Sequence, residues 1–154
     1  MVDTLAHAVI SWLVFHELPG KSVWLAVFFG MLPDLCSWTL FAFYNLFTRR
    51  KLGQPDLKKI PNWVYSLYNY THSLFVFLFI CFLVYLVNGE IPVFLWAWPL
   101  HILIDIPTHS RKFLPTPFLW PFSNWKFPGI SWNVKWFFVL YWVILIFCLL
   151  FFYF

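Results

Sequence analysis

Long apolar runs alternate along this chain with short polar or proline-rich breaks, and the breaks mark out about five helices. A first helix is expected over residues 2–17, followed by a Leu18-Pro19-Gly20-Lys21 turn. A second is expected over residues 22–47, kinked or broken at Pro33, where the ring removes a backbone donor. Residues 48–61 are polar, basic and loop-like. A third helix is expected over residues 62–87, closed by Asn88-Gly89-Glu90, and a fourth over residues 92–106, stopping at Pro107. The next stretch, to residue 130, contains Pro115, Pro117, Pro121 and Pro128, and reads as irregular and interfacial. A last helix is expected over residues 131–154. Spanning hydrocarbon takes about 20 apolar residues. The second, third and fifth segments are long enough, whereas the first and fourth are short and read as packed inside the bundle or as shallow spans.

Composition turns this pattern into a membrane protein. The chain is 62% hydrophobic and 25% aromatic, with only 10% charged residues, where a soluble domain carries about 25%. That leaves too little polar surface for a water-soluble fold. The expected class is therefore all-α: an integral membrane helix bundle forming a single domain, residues 1–154. No internal repeat is visible. Cys36, Cys81 and Cys148 lie in apolar runs without a CxxC and read as buried thiols. The opening Met1-Val2-Asp3-Thr4 lacks the basic region of a secretory signal, so the first helix is expected to be retained.

The net charge is +4, and the cations cluster. Arg49, Arg50, Lys51, Lys58 and Lys59 share one stretch; Arg111, Lys112 and Lys126 share another. In so apolar a chain these mark cytoplasmic loops facing anionic lipid, not a nucleic-acid surface. If all five helices cross, the charges alternate consistently and place the N-terminus in the cytoplasm, in a multi-pass protein of the cell inner (plasma) membrane. Trp24, Trp63, Tyr65, Trp120, Trp125 and Trp132 lie near the expected helix ends, as an interfacial aromatic belt requires.

Against this background the acids and histidines stand out, because most fall within or at the ends of apolar segments. An ionised group at mid-bilayer costs about 2.5–3.5 kcal/mol on insertion scales, so such groups should meet one another, a metal or a wet cavity. Asp3 and His7 are four apart on one helix face; so are His101 and Asp105, with His109 four further on. Asp34 follows Pro33, and His72 sits in Tyr70-Thr71-His72-Ser73, the polar patch of the third helix. In the five-span topology these groups all come to the cytoplasmic side. Histidine with carboxylate suits a divalent ion, zinc foremost, with manganese or iron as alternatives. Ser73 and Ser110 each follow a histidine, but sequence adjacency does not make a general base, and neither reads as a nucleophile.

The same residues carry a resemblance. Thr4-Leu5-Ala6-His7, Gly30-Met31-Leu32-Pro33-Asp34, Thr71-His72-Ser73, His101-Ile102-Leu103-Ile104-Asp105 and Leu119-Trp120-Pro121-Phe122 come in an order that resembles the bacterial and archaeal membrane-bound metal-dependent hydrolases. That family is distantly similar to zinc-dependent phospholipase C. The resemblance implies metal ligands at His7, Asp34, His72, His101 and Asp105. Asp3 would then be a general base or support for His7, and His109 a further ligand or the acid for the leaving group. It also implies a phosphoester or lipid-linked substrate near the cytoplasmic face. The sequence departs from the family pattern at Leu67 and Tyr68, which often hold His and Arg, and after Asp34, where Leu35, Cys36 and Ser37 follow. The same cluster would also serve a metal-binding or transport protein, or a non-catalytic membrane adaptor with a degenerate site.

Overall fold

The computed structural model describes residues 2–49 and 60–153, and is all-α. Helix α1 is Val2–Phe15. It ends at a turn in which Gly20 takes φ +57°, a left-handed value that glycine adopts without a Cβ penalty. Helix α2, Ser22–Asp34, runs through a π-helical turn at Leu35–Thr39 into α3, Leu40–Arg49. The expected break at Pro33 does not occur; the helix continues. Beyond Pro33 the helix passes into the π-turn, and the Pro33 carbonyl accepts from Ser37 Oγ (2.8 Å) and Thr71 Oγ1 (3.2 Å).

The break comes instead in the expected third helix, which is two: α4, Asn62–Thr71, and α5, Leu74–Asn88, bent by 59° at His72-Ser73. Ser73 is extended (φ −100°, ψ 126°), and its hydroxyl oxygen accepts from Val76 N at 3.2 Å, capping α5. Trp98 Nε1 donates to the Thr71 carbonyl, an acceptor left over at the end of α4, at 2.7 Å. No proline or glycine marks this bend, so the pattern of apolar residues runs straight through it. Helix α6, Ala97–Thr108, follows a 3-10 turn at Val93–Trp96. Pro107 lies inside its last turn and does not stop it one residue earlier. Helix α7 is Lys135–Tyr153, shorter at its start than expected. Counting α2–α3 as one rod, six helices replace the expected five.

Helix α2 is central, packed against α1, α4 and α6, while α7 lies against α1. Phe77, Cys81, Trp98 and Ile102 bury one apolar cluster against Phe29 and Leu32; Phe41, Ile60 and Val64 bury another. Outward-facing residues are apolar too: Val87 is 83% exposed and Phe151 73%. Faces of this kind mark surfaces that lipid or a partner protein covers. Among the described residues, two helices are long and apolar enough to cross a membrane, Ser22–Thr48 and Lys135–Phe152, or three if α4 and α5 form one bent span. α1 and α6, at 14 and 12 residues, measure about 20 Å against a hydrocarbon thickness of about 30 Å. The five-crossing topology from which the cytoplasmic N-terminus was read is therefore not what the helix lengths give. The basic stretch from Arg50 to Lys59 lies outside the described residues.

Residues 109–134 form an irregular strap. It folds back on the end of α6, where Ile130 N donates to the Pro107 carbonyl and Trp132 N to the Thr108 carbonyl, each at 2.9 Å. Gly129 is required here, since a Cβ would sit 2.4 Å from the Pro107 oxygen. At its other contact the strap reaches the α4–α5 hinge. Leu74 N donates to Phe118 O at 3.1 Å, and Ser73 Oγ donates to the Trp120 carbonyl.

Candidate metal centre

Four structural positions deliver the acids and histidines to one place: His7 from α1, Asp34 from the end of α2, His72 from the hinge, and His101 and Asp105 from successive turns of α6. All five are buried, from 0% exposed for His72 to 6% for Asp34. They form two groups that could hold a metal ion, His7-His101-Asp105 and Asp34-His72-His101.

The tightest feature is a triangle. His72 Nε2 and His101 Nε2 are 3.2 Å apart, and each is 3.3 Å from Asp105 Oδ2. His101 Nδ1 lies 2.6 Å from the Gly30 carbonyl, and His72 Nδ1 lies 3.1 Å from the Tyr68 carbonyl and 3.0 Å from Thr71 Oγ1. A carbonyl only accepts, so in both rings Nδ1 carries the hydrogen. In the neutral rings both Nε2 atoms then present lone pairs, to each other and to a carboxylate oxygen. Three acceptors facing one another at this range repel unless a cation lies between them. A single proton would satisfy one edge of the triangle; a metal ion satisfies all three corners. The spacing agrees: ligands about 2.0–2.1 Å from a tetrahedral zinc lie about 3.3–3.4 Å apart.

The surroundings extend the same pattern. Asp34 Oδ1 is 3.8 Å from His72 Nε2, and its other oxygen accepts from Thr4 Oγ1 at 2.8 Å. His7 Nε2 is 3.0 Å from Asp105 Oδ1, and its ring stacks on His101 with centroids 3.7 Å apart. Two buried carboxylates thus share the centre with three imidazoles, and a divalent cation would balance the carboxylate charge.

His109 lies at the edge. Its Nδ1–H is directed at the Asp105 main-chain carbonyl, 3.1 Å away, with Asp105 Oδ1 at 3.6 Å, and it belongs to neither metal-holding group. Asp3 is a residue of α1, but its side chain lies outside the described residues. Ser73 is occupied in capping the hinge, consistent with its structural reading. His16 is outside the cluster, with Nδ1 at 2.8 Å from the Leu13 carbonyl.

Several supporting residues carry no ionisable group and were not visible as site residues. Thr4 orients Asp34, Thr71 ties the hinge to the Pro33 carbonyl, and Gly30 supplies the carbonyl that fixes His101. Tyr68 is buried, its ring tilted 38° against that of His72 with centroids 4.0 Å apart, and its hydroxyl donates to the Leu114 carbonyl at 3.0 Å. The available signal was indirect: Thr4, Gly30 and Thr71 stand in the short motifs around His7, Asp34 and His72.

Compared with known proteins, the chain matches no family model, no curated sequence and no solved structure.

Proposed function

We propose that this chain is a membrane-embedded, metal-dependent hydrolase acting on a phosphoester carried by a lipid or lipid-linked molecule. The observation that carries the reading is the triangle of His72 Nε2, His101 Nε2 and Asp105 Oδ2, three lone-pair atoms 3.2–3.3 Å apart inside an apolar bundle. The motif order that resembles the membrane-bound metal-dependent hydrolases is what favours this reaction class. The mixed His and carboxylate donor set favours zinc. A divalent ion bound there supplies a Lewis acid and a water of lowered pKa.

The residues have distinct tasks in this reading. His72, His101 and Asp105 hold the ion, with His7 and Asp34 completing its surroundings. The Gly30 and Tyr68 carbonyls keep both imidazoles in the tautomer that presents Nε2. Thr4 holds one Asp34 oxygen so that the other faces His72. Asp3, one turn before His7, serves as general base or steadies His7, and His109 at the rim passes a proton to the leaving oxygen.

Proteoliposomes containing the zinc-loaded protein and phosphodiester or phosphomonoester lipids test this directly. Product release is expected, abolished by chelation and restored by zinc. His109→Gln is expected to slow turnover by about 10²–10⁴-fold while leaving the metal bound, as loss of an acid catalyst does. A fully loaded protein that hydrolyses none of these lipids would contradict the enzyme reading. The near-complete burial of all five groups would then favour a second reading, a metal that braces α1, α2 and α6 in a non-catalytic membrane adaptor.

A further inference from the structure

The strap between α6 and α7 has an unusual charge distribution. From Ile106 to Phe154 the chain contains no Asp or Glu, yet it carries Arg111, Lys112, Lys126 and Lys135. Arg111 and Lys112 are exposed and Lys126 is half-buried. Arg111 Nε donates to the Lys126 carbonyl at 2.9 Å, so the two cationic segments of the strap are joined. No carboxylate pairs with any of these cations among the described residues. Interleaved with them are aromatics that face outward, Phe122 at 77% and Trp125 at 50% exposure. Cations without acids, mixed with exposed aromatic rings, are the chemistry of a bilayer interface that carries negative headgroups.

The strap is also fixed beside the His/Asp centre. Its ends and middle bond to Pro107 and Thr108, two and three residues from Asp105, and to Ser73 and Leu74, one and two residues from His72. We propose that Arg111, Lys112 and Lys126 form a binding face for the phosphate headgroup of an anionic phospholipid, holding that lipid beside the buried centre. Partial burial pushes the Lys126 ammonium below its ordinary pKa, and a bound phosphate would offset that cost. The face is inferred from charge and position alone, and it stands whether or not the centre turns anything over.

The test reconstitutes the full chain in phosphatidylcholine bilayers and measures its association with spin-labelled phosphatidylglycerol against spin-labelled phosphatidylcholine. The wild-type protein is expected to prefer phosphatidylglycerol by about fivefold or more at low salt, since each basic residue near the surface contributes appreciably. Neutralising the face (Arg111→Gln, Lys112→Gln, Lys126→Gln) should bring that ratio close to one with metal content unchanged, which also shows that the variant is folded. Neutralising Arg50, Lys51 and Lys58 instead should leave most of the preference in place. A triple strap variant that keeps the wild-type ratio would overturn the proposal. So would abolition of the preference by millimolar inorganic phosphate, which would make free phosphate the ligand.

Discussion

Asp105→Asn is expected to remove the metal and destabilise the bundle together. This carboxylate is the hub of the centre. Its Oδ2 is 3.3 Å from both His72 Nε2 and His101 Nε2, and its Oδ1 is 3.0 Å from His7 Nε2. Asparagine keeps the shape but loses the charge, and its amide nitrogen turns a donor or a non-ligating group toward one side of the cluster. Removing one partner of a buried charged set costs roughly 3–5 kcal/mol. A loss of that size in metal binding would correspond to roughly 10²- to 10⁴-fold in affinity. Because a bound ion stabilises the folded state, the thermal midpoint in detergent should fall with the metal content. Elemental analysis and a thermal melt on the same sample check both at once. An Asp105→Asn protein with the metal content and midpoint of wild type would show that the carboxylate is not a ligand.

Gly30→Ala is expected to have the second largest effect, although Gly30 has no side chain to offer the centre. A Cβ on Gly30 would lie 1.8 Å from Ser11 Oγ and 2.8 Å from Ser11 Cβ. Helices α1 and α2 therefore cannot keep their present distance. The Gly30 carbonyl is the acceptor that sets the His101 tautomer, at 2.6 Å, and His7 rides on the same face of α1 as Ser11. Overpacking of this kind costs about 1–3 kcal/mol, and displacing the partner of a ligating histidine typically costs 10–100-fold in metal affinity. The reciprocal change gives the control. Ser11→Gly removes both clashing atoms, so Gly30→Ala with Ser11→Gly should recover metal binding even though α1 pays about 1 kcal/mol for an interior glycine. If Gly30→Ala alone retains metal at wild-type affinity, the close approach does not position His101.

The parts of the molecule that were legible in the sequence are those with strong local signals. Glycine and proline punctuation placed the α1–α2 turn and the irregular strap to within a few residues. The cost of burying charge in an apolar chain leads to the expectation that Asp3, His7, Asp34, His72, His101, Asp105 and His109 meet; five of them lie in groups that could hold a metal, His109 stands beside these groups, and the Asp3 side chain lies outside the described residues. Where the reading went astray, the deciding interactions are non-local. Pro33 is expected to kink or break its helix; no break occurs, the helix runs on into a π-turn, and the Ser37 and Thr71 hydroxyls donate to the Pro33 carbonyl. The bend at His72-Ser73 has no proline or glycine to announce it; it is held by Trp98 from α6 and by the strap, both distant in sequence. Thr4 and Gly30 act through a hydroxyl and a carbonyl, which charge patterning does not register. The depth of the site relative to the bilayer was read from five crossings, and the short α1 and α6 remove that basis.

The central claim is that His72, His101 and Asp105 meet around a divalent cation and not around a shared proton. Metal content per chain, measured on protein purified in mild detergent without added metal or chelator, tests it most directly. The account predicts at least one zinc or similar divalent ion per wild-type chain, and none in a folded His72→Ala, His101→Ala double variant. Wild-type protein with no stoichiometric metal, even after incubation with zinc, would contradict it, as would a double variant that keeps the wild-type complement.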